Sequence, residues 1–259
     1  MRTASGSRVP QPPPAGNPFT PGVIVPPERF HGRRAELGMI RANLENGLSV
    51  SLVGAARIGK SRLLRYLEAR LPEWLHAPGP CLPIYLSLDG QPSQAAFCQA
   101  VLTRLLPQMP LEAGHEPELR ALEHRLAAHQ PVTMEDLTLT LEWAVAGRLR
   151  VVLLLDEFKD LLERPAEFDE VFRRRLRSLY SDRTVALVLA TRQPLSEIEG
   201  FSAYFANGIS QYTIGVLMPG EAAQLLRQPH DRGFSADRNR ALARASYGVS
   251  NPSSERSSA

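Results

Sequence analysis

The sequence predicts a three-layer α/β domain built on a five-stranded parallel sheet. Five short apolar runs alternate with segments of helical periodicity, the arrangement that covers a parallel sheet on both faces. The third run, Val151-Val152-Leu153-Leu154-Leu155, has no polar alternation, as a central strand buried on both sides requires. The chain has 259 residues, of which 43% are apolar, enough for one large domain or a domain with a small appendage.

Each element follows from a local pattern. Residues 1–16 carry Pro10, Pro12, Pro13 and Pro14, which prevent helix and leave little to bury, so a disordered tail is expected. The core domain is expected over residues 17–218. It begins with Val23-Ile24-Val25 and a Pro-Pro pair, followed by an amphipathic helix from Ala35 to Glu45, where Leu37, Ile40 and Leu44 recur at helical spacing. The strands are expected at Leu48–Val53, Leu82–Leu88, Arg150–Leu155, Thr184–Ala190 and Tyr212–Leu217. Helices are expected at 60–71, 92–106, 118–129, 133–147 and 165–180, with a loop from Pro107 to Pro117. Helical patterns at Pro219–Arg227 and Ala236–Ala245 predict the start of a small helical lid over 219–249, and the Ser-rich residues 250–259 read as a second disordered tail.

Composition narrows the setting. Net charge is +3, from 30 basic and 27 acidic residues, too small and dispersed an excess to imply nucleic acid by itself. Cys81 and Cys98 lie far apart with no His or Cys at metal spacing, so they read as core thiols rather than a disulfide framework. His124 and His129 are five residues apart, a poor spacing for one helix face, and no zinc site is expected. The chain has no apolar run of about 18 residues to span a membrane, and the N-terminus lacks an apolar signal core. A cytoplasmic location is the default expectation.

The strongest chemical signal is Gly54-Ala55-Ala56-Arg57-Ile58-Gly59-Lys60-Ser61, which fits G-x-x-x-x-G-K-[ST]. The two glycines let the chain wrap tightly with its N–H groups turned inward. A helix starting near Lys60, with Arg62 in its first turn, adds its positive dipole end. Lys60 would reach the β- and γ-phosphates of ATP, and the Ser61 hydroxyl would ligate Mg²⁺. An apolar strand precedes the loop and an apolar helix follows it, as this motif requires.

The third apolar run ends in Asp156-Glu157. Two carboxylates closing a buried strand are costly without a cation or hydrogen bonds. Asp156 is the candidate magnesium ligand, and Glu157 the candidate base that orients or deprotonates the attacking water. The competing reading is an Asp-Glu turn that caps the next helix. The fourth run ends Ala190-Thr191-Arg192, where Arg192 is a candidate γ-phosphate contact and Thr191 a second candidate. The alternative for Arg192 is a surface arginine on the following loop.

Together these elements resemble the additional-strand P-loop ATPases with a catalytic glutamate, the group that includes AAA+ and STAND ATPases. Asn17-Pro18-Phe19 followed by Val25-Pro26-Pro27-Glu28-Arg29-Phe30-His31-Gly32-Arg33 resembles the leading segment of bacterial STAND-type and archaeal-type ATPases. The resemblance implies that Phe30, Gly32 and Arg33 lie near the adenine. Ala190-Thr191-Arg192 is similar to the Thr-Arg strand ending of STAND nucleotide domains, and residues 215–223 resemble the fifth strand and first lid helix. Family members continue into more lid, a winged-helix domain and often repeats. Here Tyr247-Gly248-Val249-Ser250-Asn251-Pro252 leads into the Ser-rich end, so only the start of a lid is expected.

The implied function is a Mg-ATP-binding, ATP-hydrolysing switch whose nucleotide state controls self-association or an effector protein. The alternatives are a DNA-associated ATPase similar to archaeal origin-recognition proteins, for which the net charge gives no support, and a binding module without turnover. Arg173, Arg174, Arg175 and Arg177 form a basic stretch whose helix buries Phe172, Leu176 and Leu179. That stretch reads as a solvated face, with a nucleic-acid contact or an arginine finger as the sharper options. Trp74 and Trp143 read as core or interface packing.

Overall fold

The computed structural model describes residues 30–76, 79–91, 93–109, 115–198 and 208–231. The expected tails, the segment 17–29 and the helical pattern at 236–245 lie outside the described residues. The chain divides into two units, the larger being Pro26–Leu217.

The larger unit contains α1 (Arg34–Glu45), β1 (Ser49–Val53), α2 (Lys60–Trp74), β2 (Cys81–Ser87), α3 (Gln94–Leu105), α4 (Glu116–Ala127) and α5 (Met134–Ala146). It continues with β3 (Arg150–Asp156), the short α6 (Lys159–Leu162), α7 (Glu170–Ser181), β4 (Val185–Thr191) and β5 (Ile209–Thr213). Of the smaller unit, the described part is Met218 and α8 (Pro219–Asp231). At its start Glu221 accepts the Met218 N–H at 3.4 Å, and Ala222 donates back to the Met218 carbonyl at 2.9 Å.

The five strands are all parallel in the order β2-β3-β4-β1-β5. Strand β4 therefore lies between the strand that leads into the glycine loop and the strand that ends in Asp156. Every residue of β1 and β4 is buried, as is β3 from Val151 onward.

Alternation along the strands splits the core into two layers. Val151, Leu153 and Leu155 pack with Phe97, Leu137 and Phe172 on the side of α3, α5 and α7. Val152 and Leu154 pack with Leu44, Leu63 and Leu67 on the side of α1 and α2. Cys81 belongs to the second layer and Cys98 to the first. Both thiols are free, and burial pushes each up to about 12, so they behave as small apolar side chains.

Helix starts follow their caps. Ser93 accepts the Ala96 N–H at 3.3 Å, so α3 begins at Gln94. Thr133 and Asp136 cap each other reciprocally at the start of α5 (Asp136 N to Thr133 Oγ1 3.2 Å, Thr133 N to Asp136 Oδ2 2.7 Å). The helix expected at 165–180 starts later, at Glu170, because Asp169 accepts the Phe172 N–H at 2.7 Å and fixes the cap there. The residues before it are held by Arg164, which donates to the carbonyls of Leu88 and Gln91, each at 2.8 Å.

The fifth strand is a correction. The apolar pattern predicts it at Tyr212–Leu217, whereas it runs Ile209–Thr213, with Ser49 opposite Ile209 and Val53 opposite Thr213. As an edge strand it is only half-buried, so Ser210 and Gln211 are tolerated within it and the apolar signal falls beyond its end. Val216, inside the expected run, is 82% exposed.

Candidate nucleotide site

Strand β1 ends at Val53, where two neighbours hold the chain. Ile214 N–H donates to the Val53 carbonyl at 2.6 Å, and Gly54 N–H donates to the Thr191 carbonyl at 3.1 Å. A Cβ at Gly54 would lie 2.6 Å from the Ile214 carbonyl oxygen, so only glycine fits between β4 and the end of β5. The turn into α2 is made by Gly59 at φ 103°, with Arg57 also left-handed at φ 63°. Ala55, Ala56 and Arg57 are exposed at the tip, while Ile58 and Gly59 are half-buried. The first N–H groups of α2, including those of Lys60 and Ser61, have no acceptor within the helix, the condition under which a helix start can bind an anion. Arg62 and Ser61 are half-buried in this first turn.

Lys60 is 6% exposed, and its ammonium donates to the carbonyls of Gly54 (2.7 Å) and Ala55 (3.1 Å). It therefore bridges the loop across its own ring. Burial pushes the Lys60 amine below its ordinary value; Glu157 and Asp156 pull it back up, and Arg192 adds to the fall. The four charged groups named from the sequence thus act on one another in one place.

Asp156 lies on the same strand face as Val152 and Leu154, turned toward α2, and is 4% exposed. Both its oxygens are engaged: Tyr85 Oη donates to Oδ2 at 3.0 Å, and the Glu157 N–H donates to Oδ1 at 3.1 Å. Glu157 has φ 51°, a left-handed backbone that carries strain in a non-glycine residue. The next N–H, of Phe158, donates to the Ala190 carbonyl at 3.1 Å. This twist sends the Glu157 carboxylate toward the end of β4, where Arg192 binds both oxygens (Nη2–Oε1 3.1 Å, Nε–Oε2 3.3 Å). The fork-to-carboxylate pairing raises the Arg192 pKa further.

Thr191 is buried, and its hydroxyl donates to the Gln193 carbonyl at 2.8 Å. It meets the loop through its backbone carbonyl, not its side chain. Asp160, one turn beyond Glu157, is pushed upward by burial, then by Asp89 and Glu157. Among the described residues no cluster of three His, Cys, Asp or Glu side chains could hold a metal alone. The available set is the Ser61 hydroxyl and the Asp156 carboxylate, all-oxygen donors that suit Mg²⁺, which takes few protein ligands and completes its shell with phosphate oxygens and water.

The three residues expected near the base fall into two groups. Phe30 stacks on Tyr66 of α2, with ring centroids 4.3 Å apart. Gly32 (φ 83°) and Arg33 (φ 59°) form a left-handed pair that launches α1. The buried Arg33 guanidinium then donates to the carbonyls of Ile58 in the loop (2.7 Å) and Gly215 after β5 (2.9 Å), and pairs with Glu36 at 3.0 Å. It staples the start of α1 to the loop 54–61 and to the chain after β5.

The sequence profile of the AAA domain family matches residues 43–198, spanning the loop, Asp156-Glu157 and Arg192. The chain belongs to the AAA domain family. Among curated proteins none matches the sequence. Among solved structures, the ORC2 protein of Aeropyrum pernix in its ADPNP–ADP complexes is 15% identical with a TM-score of 0.62, covering 85% of this chain and 58% of that one. The ORC1 protein of the same organism, in complex with DNA, is 19% identical with a TM-score of 0.53, covering 78% and 50%. A Walker-type ATPase of Pyrococcus abyssi is 13% identical with a TM-score of 0.56, covering 83% and 63%. The chain thus spans 50–63% of the length of these three, and at such identities the likeness is one of fold.

In this AAA domain sequence reasoning missed Tyr85, which bonds Asp156, and Arg65 and Glu68, which hold Tyr85. Tyr85 falls within the second apolar run, and nothing in the sequence singles out Arg65 and Glu68. The signal that could have found them is positional. In the fold β2 neighbours β3, and Tyr85 falls two positions before the residue opposite Asp156.

Proposed function

We propose that this AAA domain binds Mg-ATP on the loop 54–61 and hydrolyses it, its nucleotide state serving as a regulatory switch. The observation that carries the reading is convergence at one sheet edge. The glycine loop, the Asp156-Glu157 pair and Arg192 come from three adjacent strands, and Lys60 lies within electrostatic reach of all three side chains. Ligands of parallel sheets bind beyond the carboxyl ends of the strands, where these groups lie.

The roles follow from chemistry. Lys60 and the first N–H groups of α2 neutralise phosphate charge. Ser61 and Asp156 would hold the magnesium ion, which supplies charge neutralisation on the phosphates when bound. Glu157 orients and deprotonates the attacking water. Arg192 is assigned to the γ-phosphate, in line with the fork's match to phosphate oxygens. Because Arg192 holds both Glu157 oxygens here, turnover needs that pair to open, and ATP supplies the competing anion. The switch role rests on the resemblance to STAND-type ATPases.

One observation favours a second reading. A glutamate with both oxygens bound by an arginine is not free to act as a base, as in a module that binds without turnover. The test is ATP titration with and without Mg²⁺, beside phosphate release. Lys60→Ala is expected to abolish tight ATP binding while the protein stays folded, and Asp156→Asn to weaken Mg²⁺-dependent binding. Parent-like ATP affinity in folded Lys60→Ala protein would refute the site. Tight binding by the parent without phosphate release would select the second reading.

A further inference from the structure

Helix α2 carries Ser61, Arg65 and Glu68 at spacings of four and three, which put them along one face. Arg65 pairs with Glu68 (Nη1–Oε2 2.8 Å), and Glu68 Oε1 accepts the backbone N–H of Tyr85 at 3.3 Å. The Arg65 guanidinium lies 3.5 Å above the centroid of the Tyr85 ring. Backbone and ring of Tyr85 are thus both held by α2, and the hydroxyl at the far end of the ring donates to Asp156 Oδ2 at 3.0 Å. Tyr85 is 6% exposed and Asp156 4%, so the bond between them is largely shielded from solvent.

We propose that Tyr85 is a positioning residue for Asp156. Glu68 and Arg65 fix the ring, the ring fixes the carboxylate, and the helix that supplies Ser61 is tied to the strand that supplies Asp156. The inference rests on reading Ser61 and Asp156 as the magnesium pair. The Glu157 N–H already engages Oδ1, so the Tyr85 bond closes the second oxygen and leaves the carboxylate one orientation. Without it, a buried carboxylate would turn between rotamers, and each turn would redirect the lone pairs offered to a metal. Groups that orient a metal ligand through such a hydrogen bond typically change metal affinity by about 10–100-fold when removed.

The alternative is that the pair merely satisfies two buried polar groups. Tyr85→Phe separates the two readings, because it deletes the hydroxyl and keeps the ring under Arg65. Isothermal titration of ATP is run across a Mg²⁺ series and in EDTA, on the parent, Tyr85→Phe, Asp156→Asn and the double variant, with melting temperatures alongside. The expected result is a folded Tyr85→Phe protein with parent-like ATP affinity in EDTA and a Mg²⁺ half-saturation raised about tenfold or more. In the Asp156→Asn background the same change is expected to add nothing, since the partner is already altered. An unchanged Mg²⁺ half-saturation, an equal loss with and without Mg²⁺, or a protein that fails to fold would assign Tyr85 to packing and overturn the inference. Failure of the parent itself to respond to Mg²⁺ would overturn the magnesium reading and this inference with it. A responsive parent beside an indistinguishable Tyr85→Phe would overturn the inference alone.

Discussion

The two faces of the sheet are built from different materials. On the side of α3, α5 and α7 the strands meet a continuous layer rich in Leu, Val and Phe, in which the Phe172 ring packs against both Phe97 and Phe168. On the side of α1 and α2 the apolar layer is interrupted. The buried charged side chains of the described residues, Arg33, Lys60 and Asp156, belong to elements of this second face, each with hydrogen-bond partners. Buried charge costs stability unless it is paired, so concentrating it on one face implies that the other carries more of the fold's stability. The difference teaches a division of labour: one layer holds the sheet, and the other holds the loop and strand ends in place for a charged ligand.

The largest expected effect tests the apolar face. Phe172 is 1% exposed, with its ring 5.4 Å from Phe97 at 89° and 5.3 Å from Phe168. Phe172→Ala should cost about 3–5 kcal/mol of stability by leaving a cavity. ATP affinity of the folded fraction should stay at the parent value, read by denaturant unfolding and by titration below the transition. A fall in that affinity would show that the two faces are not independent.

Next comes the polar face. Glu157→Gln keeps size and one hydrogen-bonding oxygen but removes the charge that accepts a proton. Turnover should fall about 100-fold or more, while Mg-ATP binding persists and melting temperature changes little. Phosphate release at the parent rate would remove Glu157 from the chemistry and leave its ion pair with Arg192 as a structural contact.

These differences also explain what the sequence discloses. The layers and the order of elements were legible because β3 and β4 are buried from end to end and carry uninterrupted apolar runs. Edge strand β5 was misplaced, since Ile209–Thr213 is half-exposed and no periodicity marks it. At the site, the glycine loop and Asp156-Glu157 are contiguous in sequence and therefore visible. Tyr85 meets Asp156 and the Arg65–Glu68 pair of α2 only through the fold, and the Arg33 guanidinium reaches Gly215 across 182 positions. A pairing of that range leaves no local pattern. Neither did the left-handed φ of Glu157, which turns its carboxylate onto Arg192.

A smaller effect is expected at Arg192, whose side chain is 61% exposed. If it exchanges Glu157 for the γ-phosphate, Arg192→Ala should weaken ATP about tenfold or more and leave ADP within twofold. Equal losses for both nucleotides would keep Arg192 as a partner of Glu157 only. Competition titrations with the two nucleotides against one fluorescent analogue distinguish these outcomes.

The smallest expected effect is that of Ser51 in β1, where two serines point to the apolar face, on the opposite side from Val50 and Leu52. Ser49 Oγ accepts the Leu187 N–H at 3.0 Å, whereas Ser51 Oγ is buried without a hydrogen-bond partner among the described residues. A buried hydroxyl with no partner has lost its water and gained nothing in return, while one that satisfies a backbone N–H protects that donor as well. The two substitutions should therefore have opposite signs. Ser51→Ala is expected to raise stability by about 0.5–1 kcal/mol, or about 1–4 °C in melting temperature. Ser49→Ala strands the Leu187 donor and should lower stability by about 1–3 kcal/mol. Both should leave ATP affinity unchanged, because neither serine reaches the loop. Thermal and denaturant unfolding of the two variants side by side decide the point. If Ser51→Ala were destabilising, its hydroxyl would have a bound water or another partner, and the apolar face would hold a second polar contact beside that of Ser49.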